Sequence, residues 1–175
     1  MRHLILLFVA FILVSCGGAY VVHDYDENQD FLEYKTYAFY PEMVSGLSDL
    51  DQKRLLMVTE NEMKAKGFIK SETPDIYINF KTSSSEKASA NTIGVGVGSG
   101  GGGINIGLGG AIPVGGPQTI LELTIDFIDV KKDALVWQAI TERRFHPNAS
   151  PNTRTNFFQQ IIKKSMNKYP PKNKK

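Results

Sequence analysis

Two adjoining alternations constrain this fold more than any other feature. From Thr119 to Val130, Leu121, Leu123, Ile125 and Phe127 fall on one face of an extended chain, and Glu122, Thr124 and Asp126 fall on the other. Ala134 to Phe145 follows directly across Lys131-Lys132-Asp133. A parallel return would need a long crossover, so this short link makes the two strands antiparallel. Leu135, Trp137 and Ala139 are then expected on the face of Ile125 and Phe127, in a register that pairs Phe127 with Trp137. A slip of one residue is the alternative, and it would turn every one of these side chains over. A sheet with a single oily face needs a second layer to cover it.

Two helices supply that layer. Ser48 offers a capping hydroxyl with an acid at Asp51, and the helix it opens runs to about Lys66 and stops at Gly67. Leu47, Leu50, Arg54, Met57, Val58, Asn61 and Ala65 follow helical spacing there, giving a moderately apolar face. Ser150-Pro151 opens the second helix, with Pro at the first helical position. Phe158, Ile161, Ile162, Ser165, Met166 and Tyr169 form its stripe, and Pro170-Pro171 ends it. Upstream, Tyr34 to Tyr40 reads as an aromatic strand closed by Pro41. Ile76, Ile78 and Phe80 alternate with polar neighbours as a half-buried strand, and Ser83 to Ala90 is polar and expected to be loose. The expected fold is α+β: a two-layer sandwich of a mainly antiparallel sheet with two amphipathic helices on one face, plus a Gly-rich insertion at 92–117.

Twelve of the sixteen glycines lie in that insertion, and glycine on this scale opposes helix. The formal G-x-G-x-x-G of Gly96, Gly98 and Gly101 is therefore no dinucleotide site, because the fingerprint needs a helix to follow it. A mobile insertion and a flat hairpin with Ile93, Val95 and Val97 on one side both fit the composition.

The first sixteen residues fix the expected location. Arg2 and His3 precede an apolar run from Leu4 to Val14, which at about eleven residues is too short to span a bilayer and fits a signal-peptide core. Leu13-Val14-Ser15-Cys16 has the order of a lipobox. Residues 1–15 are thus expected to be a removed signal peptide. Cys16 is expected to be the lipid-attachment residue, its thiol forming a thioether with diacylglycerol and its new amino group being acylated, by palmitate or a similar chain. Several acyl chains anchor a protein stably where one does not. Residues 16–30, with four acids and a short Tyr20-Val21-Val22 strand, read as a tether. A single domain at 31–170 and a basic tail at 171–175 complete the layout. Gly17, not Asp, follows Cys16, which favours the outer membrane.

The residue inventory narrows the function. Cys16 is the only cysteine, so no disulfide, thiol nucleophile or cysteine metal site remains once it is lipidated. With 20 basic against 18 acidic residues the chain has no general bias towards nucleic acid. Lys163, Lys164, Lys168, Lys172, Lys174 and Lys175 do crowd the C-terminus; a solvated helix face explains them, and contact with anionic lipid or cell-wall polymer is the sharper alternative. His23 and His146 lack metal-ligand spacing, and no cofactor motif is present. Asp126 and Asp129 point to opposite faces of a strand, a poor acid–base pair, and Asp129 is better placed to cap the turn before Lys131. Tyr25, Tyr34, Tyr37 and Tyr40 suit core or cross-strand pairs before a ligand groove.

The segments Tyr25-Asp26, Asp30-Phe31, Tyr34-Lys35-Thr36-Tyr37-Ala38-Phe39, Leu50-Asp51 with Arg54, Lys66-Gly67-Phe68, Pro74-Asp75-Ile76, Ile125-Asp126 with Asp129, Leu135-Val136-Trp137 and Tyr169-Pro170-Pro171 together resemble the bacterial envelope lipoproteins of domain of unknown function 4136. The resemblance covers nearly the whole chain after Cys16. It implies an exported, lipid-anchored α+β domain and brings no catalytic residues; the glycine insertion departs from it. The expected role is a non-enzymatic binding or accessory module, with the membrane and an envelope protein as partners. A carrier or sensor of a small apolar ligand, and an enzyme acting on cell-wall glycan, are the alternatives.

Overall fold

The structure, a computed structural model, describes residues 19–87, 92–95, 110–113 and 116–171, with backbone only at 92–95 and 110–113. The signal segment, Cys16, most of the glycine insertion and the last four residues lie outside these.

The chain forms strand β1 (Tyr20–Tyr25), a 3-10 turn at Phe31–Glu33, β2 (Thr36–Phe39), helix α1 (Asp49–Ala65), β3 (Ile69–Lys70), β4 (Ile76–Lys87), β5 (Thr92–Val95), β6 (Gly110–Pro113), β7 (Gln118–Asp129), β8 (Ala134–Arg144), helix α2 (Pro151–Ser165) and a closing 3-10 turn at Met166–Lys168. The main sheet has six strands in the order β1-β8-β7-β4-β2-β3, and β5 and β6 pair separately as an antiparallel ribbon. The pairs β1–β8, β8–β7 and β7–β4 are antiparallel, whereas β2 is parallel to both β4 and β3. The expected α+β sandwich is the observed one.

Local chemistry explains the boundaries. Ser48 caps α1 by accepting from the Asp51 N–H at 3.4 Å, and Ser150 caps α2 by accepting from Thr153 N–H at 3.3 Å. Gly67 ends α1 at φ +85° with open space around it, so its backbone angle demands glycine. Gly46 combines φ +78° with Thr82 Oγ1 only 3.1 Å from where a Cβ would stand. The helices lie side by side and run in the same direction. Arg154 of α2 reaches Asp51 at the start of α1, and Lys66 just past the end of α1 donates to Tyr169 O at 3.1 Å.

The layer between helices and sheet is filled by side chains. Leu55 and Met63 of α1, Phe158 and Ile161 of α2, and Phe80, Phe127 and Trp137 of the sheet are buried. Phe127, Trp137 and Tyr169 form an aromatic knot, with the Phe127 and Tyr169 ring centroids 4.5 Å apart and those of Phe127 and Trp137 4.8 Å apart.

Several expectations change. Phe127 does pair with Trp137, but a bulge follows, and Ile128 faces Leu135 with Val136 as the extra residue. Val136 is buried in the place expected for Leu135, which is 52% exposed. β4 runs on to Lys87, each residue from Ser83 paired with β7, where a loose segment was expected. Residues 20–25 are an edge strand along Glu142 to Trp137 and belong to the fold, whereas the sequence suggested a tether through residue 30. The face that α1 buries is Asp51, Leu55, Val58, Thr59 and Met63; Leu50 is 62% exposed and Met57 48%. Asp51 can turn inward because Arg54 and Arg154 both meet its carboxylate.

Candidate binding site

At the end of the sandwich near the β7–β8 turn, two carboxylates organise the backbone. Asp129 Oδ1 accepts from the N–H groups of Lys131 and Lys132 at 2.8 and 2.9 Å, and Oδ2 accepts from the Tyr34 hydroxyl at 2.7 Å. Burial pushes the Asp129 pKa up, but the bonds from Tyr34, Lys132 and Lys131 and the Lys132 charge outweigh it and hold the carboxyl below its ordinary value. Burial and the neighbouring Asp129 together push the Tyr34 hydroxyl far up. Asp75 Oδ2 accepts from the N–H groups of Lys35 and Thr36 at 2.9 Å and from Thr36 Oγ1 at 2.8 Å. The Lys35 N–H bond leads in lowering its pKa; burial opposes and the Thr36 bonds add. These acids are committed to holding the strands together.

Asp126 lies on the sheet face away from the helices. Its Oδ1 accepts from Gln138 Nε2 at 2.7 Å, and Lys81 Nζ stands 3.7 Å from Oδ2. A shallow depression of about 510 Å³ surrounds it, bordered by Tyr40, Asn79 and Leu135. Asp126 bonds to Gln138 on this open face, whereas Asp129 bonds to Tyr34 and the turn. Tyr34 and Tyr37 are buried, and Tyr25 packs edge-on to Phe31. Tyr40, edge-on to Tyr77, borders the depression around Asp126, and Tyr25 borders smaller ones along β1. His23 Nε2 donates to Ser165 O at 2.6 Å, a bond between β1 and α2. Among the described residues no three metal-ligating side chains cluster, and no helix is long and apolar enough to cross a membrane.

An open cleft of about 770 Å³ lies at the opposite end, where β1 begins. Tyr20, Lys87 and Gln118 line it from the strands, Arg143, Arg144 and His146 from the end of β8 and the loop beyond, and Asn156 and Phe157 from α2. Lys87 pairs with Glu142 at 3.1 Å, and the Arg143 guanidinium lies 5.7 Å from the centre of the Phe157 ring. This site was not foreseen. Its residues come from five separate segments, and no spacing in the sequence joins them. Of the predicted sites, Cys16 lies outside the described residues, and His146 alone among the singled-out histidines borders this cleft.

A family model described as "Domain of unknown function (DUF4136)" matches residues 21–171. The chain belongs to this family. The DUF4136 match opens inside β1 and closes at Pro171, so it takes in both layers of the sandwich. No curated protein matches the chain. Among solved structures, a PDZ domain protein from Parabacteroides distasonis is similar with a TM-score of 0.56 at 14% identity, over 95% of this chain and 40% of that one. The DUF4136 chain thus spans well under half of that protein, and the likeness is one of fold. A PelC dodecamer from Paraburkholderia phytofirmans aligns at 13% identity with a TM-score of 0.49, over 85% of this chain and 94% of that one.

Proposed function

We propose that this protein is a lipid-anchored module of the bacterial envelope, held at the outer membrane through Cys16, that binds or assists another envelope component without catalysing a reaction. The observation that carries this reading is the spacing between Cys16 and the fold. β1 opens at Tyr20, and every residue from Tyr20 to Tyr25 is paired with β8. Only Gly17, Gly18 and Ala19 separate a thioether on Cys16 from that strand, a reach of at most about 14 Å. Lipidation there would seat the whole sandwich at the membrane surface. The engaged acids support a role without catalysis: buried Asp51 and Asp129 and half-buried Asp75 each bind arginines or backbone N–H groups that hold elements together. The packed aromatic layer argues against a ligand carried between sheet and helices.

Replacing Cys16 with Ala tests the reading. The native protein should incorporate labelled palmitate and fractionate with outer membranes, and the variant should do neither. A variant that stays fully membrane-bound would sink the anchor. In-cell crosslinking of the full lipoprotein then tests the accessory role, with one dominant envelope protein as the expected product.

A further inference from the structure

The cleft at the Tyr20 end lies next to the point where the chain would enter the membrane. We infer that it binds the headgroup of an anionic phospholipid from the bilayer that holds Cys16; the inference rests on that anchor. Tyr20 is itself a wall of the cleft, so the cleft lies within about 14 Å of Cys16 along the chain. The polar layer of a bilayer is about 5–8 Å deep on each side. No other described concavity has so short a leash to the lipid.

Its chemistry fits a phosphodiester. Lys87 is matched by Glu142, but Arg143 and Arg144 make no ion pair among the described residues. Arg143 stands over the Phe157 ring, which holds the guanidinium at the cleft, and its N–H donors suit a phosphate. The first turn of α2, which adds Thr153 to the wall, carries no acid to repel an anion. Tyr20 is 68% exposed beside an exposed Val22, and tyrosine with an apolar neighbour suits the membrane–water boundary. The volume of about 770 Å³ lies within the range of small-ligand sites.

Native mass spectrometry of the full lipoprotein, released from membranes in mild detergent and offered equal phosphatidylglycerol and phosphatidylcholine, reads both claims at once. The expected spectrum shows the diacylglyceryl and acyl mass on Cys16 and a severalfold preference for a phosphatidylglycerol adduct. R143A/R144A should lose the preference. Arg144 is exposed, so R144A alone should reduce it without a packing cost. Equal adducts in the native protein, or a preference that survives both variants, would overturn the cleft while leaving the anchor intact. A Cys16 without lipid mass would overturn the anchor and the cleft with it.

Discussion

Tyr34 donates its hydroxyl hydrogen to Asp129 across 95 residues of sequence, at 2.7 Å and inside the protein. That bond ties the segment after the first 3-10 turn to the end of β7, while the other oxygen of Asp129 folds the β7–β8 turn. Tyr34→Phe keeps the ring and leaves Oδ2 without its partner. The expected loss is about 1–3 kcal/mol, read as a lower urea midpoint with an unchanged slope. A midpoint equal to the native one would mean that water replaces the hydroxyl.

Acid should weaken the fold through the same group and through Asp75. Both carboxyls titrate below 3.8 in the folded chain. The unfolded chain therefore takes up protons first as the pH falls. The stability these groups contribute is complete above the unfolded value and is lost as the pH drops through the folded one. A urea midpoint measured from neutral pH downwards should hold steady and then fall below about pH 4. Asp75→Asn should flatten that fall, and an equally steep fall in the variant would place the titration elsewhere.

Asp51 is buried between two arginines that come from different helices. Asp51→Ala leaves both guanidinium groups facing a partnerless site and should cost about 3–5 kcal/mol. Arg154→Met removes one cation, keeps Arg54 in place and should cost clearly less. Comparing the two by chemical denaturation separates burial of the acid from the bridge between helices. Equal losses would mean that Arg54 does not hold Asp51 by itself.

Thr141 and Ser165 meet as a buried hydroxyl pair at 2.5 Å, and Ser165 Oγ also donates to Ile161 O at 2.9 Å. Thr141→Val and Ser165→Ala should each cost about 1–3 kcal/mol, whereas the double variant should recover part of the sum, because paired apolar replacements leave no orphaned group. Strict additivity in the double-mutant cycle would show that the two hydroxyls are not coupled.

The parts legible in the sequence are those whose burial is carried by apolar side chains at a fixed period. The β7–β8 register was legible at Phe127 and Trp137 because both aromatic faces agree, and the stripe read for the second helix is buried from Phe158 to Tyr169, although α2 ends at Ser165 and Met166 and Tyr169 lie beyond it. α1 misled because its inward face is partly polar. Thr59 satisfies its hydroxyl on Leu55 O at 2.8 Å, while Leu50 and Met57 point outwards. Leu135 was misplaced because a bulge inserts a residue that alternation cannot show. β1 was underestimated because its strand partner, β8, lies more than a hundred residues away in sequence. The cleft residues carry no shared pattern at all, since the sheet alone brings Tyr20, Lys87 and Arg144 together.

The direction of the helices bears on the lysines near the C-terminus. α2 begins at the cleft end and runs towards the Tyr34–Asp129 end, where Tyr169 packs edge-on against Trp137. Lys168 therefore lies at the end remote from Tyr20. With Cys16 in the membrane, the cleft would face the lipid and Lys168 would face the periplasmic network or the opposite bilayer.

The last pair of the β4–β7 ladder is Lys87 with Gln118. Their Cα atoms are neighbours across a ladder, about 5 Å apart, so the chain leaves the sandwich and returns to it at one doorway. Whatever lies between is topologically a side branch, and lengthening it costs only a logarithmic closure entropy. Lys87 and Gln118 also line the cleft, so a reporter or foreign loop grafted at this doorway would stand at the cleft mouth.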